Sequence, residues 1–167
     1  MAWEDLSNQE YIALELRPDM AKTIRARFPQ SRVVVGDCQQ GLPFPDGYFH
    51  RILAIHVLEH LTNLPAALGE IRRVLKPGGA FLAVLPCEGG LLYGFCRRIS
   101  AQRIFEKRYK QDYGWFIRSE HVNTAREILA EIEAFFRVSH GKYFPCYVPD
   151  LNFNVAIGLT LLRKDTD

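Results

Sequence analysis

The sequence predicts an α/β domain built on a mainly parallel sheet with helices on both faces. Three observations predict it. Apolar runs of strand length recur at 11–16, 32–37, 50–58 and 80–86, and their lack of polar alternation suits strands buried on both sides. Two segments with apolar residues at helical spacing, 18–28 and 63–75, lie between them. After residue 121 the pattern changes to one helical stretch followed by two strand-like runs, as expected of an antiparallel pair closing one edge.

Each element has its own justification. YIALEL, 11–16, is short, apolar and bounded by charge. Pro18 can open a helix, because its missing N–H costs nothing in the first turn; Met20, Ile24 and Phe28 then share a face and Pro29 ends it. RVVVGD, 32–37, carries three successive β-branched residues. LPFPDGYF, 42–49, is a connection of turn residues, and HRILAIHVL, 50–58, resumes the strand pattern. Asn63 can cap a helix with Pro65 in its first turn, and Leu64, Leu68, Ile71 and Leu75 form its apolar face. KPGG, 76–79, supplies a helix stop and a tight entry to the run AFLAVLP, 80–86. Thr124 and Glu127 have capping-box spacing, with Ile128, Ile132 and Phe135 as that helix's buried stripe. The runs 135–144 and 154–164 are the closing strand pair.

The 167 residues fit a single domain, 1–167, with a core at 11–87, an insertion at 88–121 and a C-terminal helix and strands at 122–164. A formal charge of +2 argues against a molecule-wide nucleic-acid surface. The four cysteines form no CxxC pair, which argues against a disulfide framework and fits reduced thiols in a cytoplasmic protein. No apolar run reaches the ~20 residues of a membrane helix, and MAWEDLSNQE does not read as a signal peptide.

In combination, GD-x-x-x-x-LPFPDGYF, HVLEHL and RVLKPGG, in that order, resemble the class I S-adenosylmethionine-dependent methyltransferases, particularly the small-molecule enzymes related to the ubiquinone and menaquinone methyltransferases. The resemblance is close over 11–87 and loose beyond. It implies a Rossmann-like sheet, S-adenosylmethionine as cofactor, and a small or lipid-like methyl acceptor. It further implies that Glu15 accepts from the ribose hydroxyls, that Leu16 packs on the adenine, that Asp37 accepts from the adenine amino group, and that the backbone N–H of Cys38 donates to a ring nitrogen. A carboxylate suits such a role because it offers several acceptor sites. Read without the resemblance, Glu15 is a solvated strand-end carboxylate, Leu16 a core residue and Asp37 a turn former. His56, at the mouth of the 50–58 strand, is placed to contact the cofactor or polarise a nucleophile, or packs in the turn. The pair His56 and His60 is not read as a metal site, because the sequence places no third ligand. No catalytic residue is assigned: the sulfonium is already activated, and a base is needed only when the acceptor loses a proton.

Residues 92–118 carry seven Lys or Arg against two acids, with seven aromatics interleaved. Three readings stay open: an amphipathic helix with solvated charges, a lid over the acceptor, or a surface for a membrane or RNA.

The resemblance also implies a glycine-rich turn between a first strand and a first helix, and residues 1–10 contain no glycine. The chain therefore reads as an N-terminally shortened form of the domain, impaired in cofactor binding. In the implied strand order 3-2-1-4-5-7-6, the strands at 11–16 and 50–58 would flank a gap. They would pair directly, have the gap filled, or associate with other chains through exposed edges. Two alternatives accompany the enzyme reading: a catalytically silent methyltransferase-like binding partner, and a nicotinamide-dependent oxidoreductase using Glu15 for ribose.

Overall fold

The computed structural model describes residues 9–164. Strand β1 (Ile12–Glu15), helix α1 (Pro18–Arg27) and strand β2 (Arg32–Val35) form one parallel unit, with Ile12 beside Arg32 and Glu15 beside Val35. Strand β3 (Phe49–Ile55), helix α2 (Leu64–Val74) and strand β4 (Leu75–Pro86) form a second. Helices α3 (Leu91–Ile99), α4 (Ala101–Tyr109) and α5 (Tyr113–Glu120) follow, then α6 (Ala125–Phe135) and the strands β5 (Phe136–Pro145) and β6 (Asn154–Arg163). The strand order is β1-β2 in one sheet and β3-β4-β6-β5 in the other, with β6 antiparallel to both neighbours. The anticipated parallel units and closing antiparallel pair are all present.

One face of the four-stranded sheet carries the core. Ala54 on β3, Phe81, Ala83 and Leu85 on β4, and Ile157, Leu159 and Leu161 on β6 are all buried. Register aligns them: Ala54 lies beside Ala83, and Phe81, Ala83 and Leu85 beside Leu161, Leu159 and Ile157. Leu64, Leu68 and Ile71 of α2 and Ile128 and Ile132 of α6 close over that face. The Thr124–Glu127 capping box starts α6 as its spacing predicts. On the other face of β3, Leu53 and Ile55 are exposed.

Three local expectations are corrected. The strand expected over 50–58 ends at Ile55, because His56 takes a left-handed conformation (φ 52°) and turns the chain into a single 3-10 turn at Leu58–His60. KPGG does not separate α2 from β4. Strand pairing resumes at Leu75 beside Phe49 and, after a register break, at Ala80 beside Arg51, so KPGG bulges inside the strand. The valines of β2 are not buried on both sides: Val33 and Val34 are half-buried and Val35 is exposed, because β2 is an edge strand of a two-stranded sheet.

β1 and β3 do not pair. They line an open slot of about 880 Å³ whose floor includes Ile71 and Val74 of α2. Side-chain hydrogen bonds cross it: Arg51 Nη2 donates to Gln9 Oε1 (3.1 Å) and Tyr48 Oη to Glu10 Oε2 (3.4 Å).

Candidate functional site

The carboxyl ends of β1, β2 and β3 carry the residues singled out by the sequence, which is where ligands lie in open parallel sheets. Glu15 is the last residue of β1 and sits beside Val35, and Asp37 follows two residues beyond. Side chains alternate along a strand, so the pairing brings both carboxylates to one end of the β1–β2 unit. Glu15 Oε1 accepts the Arg17 N–H (2.9 Å), which folds the carboxylate over the start of α1 and leaves Oε2 available. Asp37 Oδ1 accepts the Gln39 N–H (2.9 Å) and its side-chain amide (3.1 Å). Leu16 is 63% exposed, so the core-packing reading of this residue does not hold.

Cys38 is half-buried and borders the slot. Burial, with the charge of Asp37 added, pushes its thiol above the ordinary range, so it remains protonated at neutral pH. His56 stands at the end of β3. Its N–H donates to Val84 O (3.0 Å), and its Nδ1 lies 3.2 Å from Glu59 Oε1. The left-handed backbone costs an L residue roughly 1–2 kcal/mol, offset here by those two contacts.

Several residues that sequence reasoning passed over organise this region. Arg73 of α2 holds the LPFPDGYF connection in place. Its Nη1 donates to Phe44 O and Asp46 Oδ1 (both 2.8 Å), its Nη2 to Leu42 O (3.0 Å) and Glu70 Oε2 (2.8 Å). Glu70 also accepts the Leu42 N–H (2.7 Å). The Arg73 hydrogen bond holds the Glu70 carboxyl down at about 2. The two motifs GD-x-x-x-x-LPFPDGYF and RVLKPGG are thus halves of one hydrogen-bonded assembly. Gln39 ties it to the next element, since its Oε1 accepts the Asn63 N–H (2.7 Å) at the start of α2.

A second cavity, about 390 Å³, lies beyond the end of β4 between α3, α5 and the start of α6. Glu88, Tyr93, Arg97 and His121 line it. Burial and the nearby charge of Glu88 push the Tyr93 hydroxyl up to about 12, so it stays a hydrogen-bond donor at neutral pH. The basic 88–121 segment is three helices rather than one. Phe105, Tyr109, Tyr113 and Phe116 cluster by ring contacts, while Phe95 and Trp115 are exposed. The signal that could have found His121 was its place at the end of α5, but nothing local in sequence relates it to residues 56–60.

Comparison with known proteins decides the family. Residues 1–83 match the family described as Methyltransferase domain. The chain belongs to the class I S-adenosylmethionine-dependent methyltransferases. A sterol 4-C-methyltransferase of Caenorhabditis elegans is 45% identical over 51 residues, 30% of this chain and 15% of that protein. A ubiquinone/menaquinone biosynthesis C-methyltransferase of Caulobacter vibrioides is 43% identical over 65 residues, 39% of this chain and 25% of that protein. The matched segments therefore span a quarter or less of these relatives' lengths. The crystal structure of an S-adenosylmethionine-dependent methyltransferase from Thermotoga maritima superposes with a TM-score of 0.63 at 18% identity, over 92% of this chain and 73% of that one. The methyltransferase fold accounts for the β2-β1 and β3-β4-β6-β5 orders on either side of the slot. S-adenosylmethionine is the cofactor of this family. The residues at the ends of β1 and β2 fit its adenosine half: two acceptor carboxylates and an exposed apolar side chain stand at one end of one sheet. No described residue supplies a glycine-rich turn beside the slot for its methionine half.

Proposed function

We propose that this chain carries the adenosine-binding part and the acceptor-side cover of an enzyme that methylates a small or lipid-like acceptor. The carrying observation is the in-register pairing of β1 with β2, which sets Glu15 and Asp37 at one strand end. Bound there, S-adenosylmethionine supplies an activated methyl group. Glu15 Oε2 accepts from ribose hydroxyls, Asp37 from an exocyclic amine, and the Cys38 N–H donates to a ring nitrogen, while Leu16 covers the adenine. His56 lies toward the reacting end, and Tyr93 offers a donor to the acceptor across the smaller cavity. The chain's part in the chemistry is alignment and exclusion of water. Relatives named for sterol and quinone methylation support an apolar acceptor.

Among the described residues none holds the methionine half across the open slot, so the affinity of the chain for the cofactor is low. Calorimetric titration with S-adenosylhomocysteine tests both points. Weak binding that weakens roughly tenfold further in Glu15→Ala supports the reading, on the scale of charge-assisted hydrogen bonds. Tight binding, or binding indifferent to both Glu15→Ala and Asp37→Ala, overturns it.

A second reading, a non-catalytic partner protein, is favoured by the apolar stripe Leu91, Phe95 and Ile99, which are exposed on α3 beside Arg98. The same stripe suits peripheral contact with a lipid surface. A specific heteromer in native mass spectrometry, without S-adenosylhomocysteine binding, selects the partner reading.

A further inference from the structure

Glu59 is 1% exposed and its Oε2 has no hydrogen-bond partner among the described residues. A buried carboxylate oxygen without a partner is costly, and in a native site it points to something that completes it. Its other oxygen, Oε1, is engaged by His56 Nδ1 at 3.2 Å.

Two histidines converge on it. His60 follows Glu59 in the 3-10 turn, and His121 comes from the end of α5, with ring centroids 4.7 Å apart and planes at 83°. The Val122 and Asn123 N–H groups both donate to Glu59 O (2.9 and 3.2 Å), and Asn123 Nδ2 donates to Leu58 O and Leu61 O, so the two segments are fastened together. His60 Nδ1 lies 2.8 Å from Glu120 O. A carbonyl only accepts, so Nδ1 carries the proton and the Nε2 lone pair is left over. His121 Nδ1 faces the Glu88 carboxylate in the same way. Histidines whose tautomer is set by an outer carbonyl and an outer carboxylate are arranged as metal ligands are. One ligand atom each of Glu59, His60 and His121 lies within 4.8 Å of the others. Ligands roughly 2.0–2.2 Å from a tetrahedral zinc stand about 3.4 Å from one another, so small side-chain rotations bring all three onto one ion.

We propose that Glu59, His60 and His121 bind a divalent transition-metal ion of the zinc type, with Glu88 and the Glu120 carbonyl as its outer partners. The sequence alone argued against a metal because His56 and His60 lacked a third ligand. Folding supplies Glu59 and His121, and His56 serves as the partner of Glu59. Two imidazoles and one carboxylate leave a coordination position open. His121 and Glu88 also line the smaller cavity, so an oxygen atom on a bound acceptor can complete the set. That last role rests on the methyl-transfer reading, whereas metal binding does not.

The test uses the 167-residue chain, stripped with chelator. Zn²⁺ is titrated in competition with a chromophoric chelator, and Co²⁺ binding is followed by visible absorption. The expected result is one equivalent of Zn²⁺, and a Co²⁺ spectrum of low coordination number that His60→Ala and His121→Asn abolish. Zn²⁺ affinity falls by roughly tenfold in Glu88→Gln, the size of a lost outer-partner contact. His60 is exposed, so His60→Ala retains the fold by near-UV circular dichroism and decides the matter even where His121→Asn does not fold. Absence of equimolar binding overturns the proposal, as does binding that survives His60→Ala or is lost on alkylating the cysteines instead. Binding of S-adenosylhomocysteine is measured separately, so failure of the cofactor reading and failure of the metal site are distinguishable.

Discussion

Gly90 and Gly94 lie four residues apart at the start of α3, and the structure predicts opposite outcomes for the same substitution at each. Gly90 caps α3 with φ −77° and ψ 152°, a conformation open to any residue. Its requirement is therefore space, not backbone freedom. A Cβ there would stand 2.3 Å from Leu151 O and 3.0 Å from Cys87 O and Leu151 C, all backbone atoms that no rotamer change can move aside. Gly90→Ala must displace α3 from the 151–153 turn, and overpacking of this kind costs about 1–3 kcal/mol; rigid backbone neighbours put it near 3. At Gly94 nothing lies within 4 Å of the added Cβ, so Ala removes the helix penalty of glycine and stabilises by about 0.5–1 kcal/mol. Urea unfolding followed by far-UV circular dichroism measures both. If Gly90→Ala falls within 0.5 kcal/mol of the parent chain, or if both substitutions shift the midpoint the same way, the close seating of α3 on that turn is refuted. Because Tyr93 and Arg97 project from this helix into the smaller cavity, loss of the seating also disturbs that cavity.

Three further outcomes follow from the packing and the charges. The Glu70 carboxyl is depressed to about 2 by Arg73. Its contribution is therefore fully present above its ordinary value near 4.5 and is lost as pH falls toward 2. Arg73→Gln should return the carboxyl toward the ordinary range in an NMR titration and flatten the dependence of stability on pH between about 5 and 2, and an unchanged titration would count against the clamp. Leu68, fully buried between α2 and the sheet, should cost about 2.7–5 kcal/mol on truncation to Ala, read as a lower urea midpoint at constant slope. Thr124→Ala removes the hydroxyl that accepts the Glu127 N–H and donates to Glu127 Oε2, while the Thr124 N–H keeps its bond to Glu127 Oε2; it should cost about 1 kcal/mol, with little effect if α6 is held by packing alone.

Much of the fold was legible because short-range chemistry specifies it. Pro18 at the start of α1, Asn63 before α2 and the Thr124–Glu127 box each act within one helical turn, so their spacing is their mechanism. The alternation Phe81, Ala83, Leu85 faces the core because a strand's period is two, whatever lies around it. The end of β3 was not legible, since HVL carries strand-forming residues and the left-handed turn at His56 is held by Val84, on a different strand. The exposure of Val35 was equally hidden, because the number of neighbours a strand acquires is a property of the sheet.

By itself the sequence determined the order and type of the elements outside 88–121 and the positions of Glu15 and Asp37 at two strand ends, because periodicity, capping and turn chemistry are local. Only the tertiary structure decided what those elements enclose. Arg73 reaches back some thirty residues to Leu42 and Phe44, and His121 arrives beside His60 from the far end of a helical segment. Contacts of that range depend on how layers stack, and no pattern within a window of sequence encodes them.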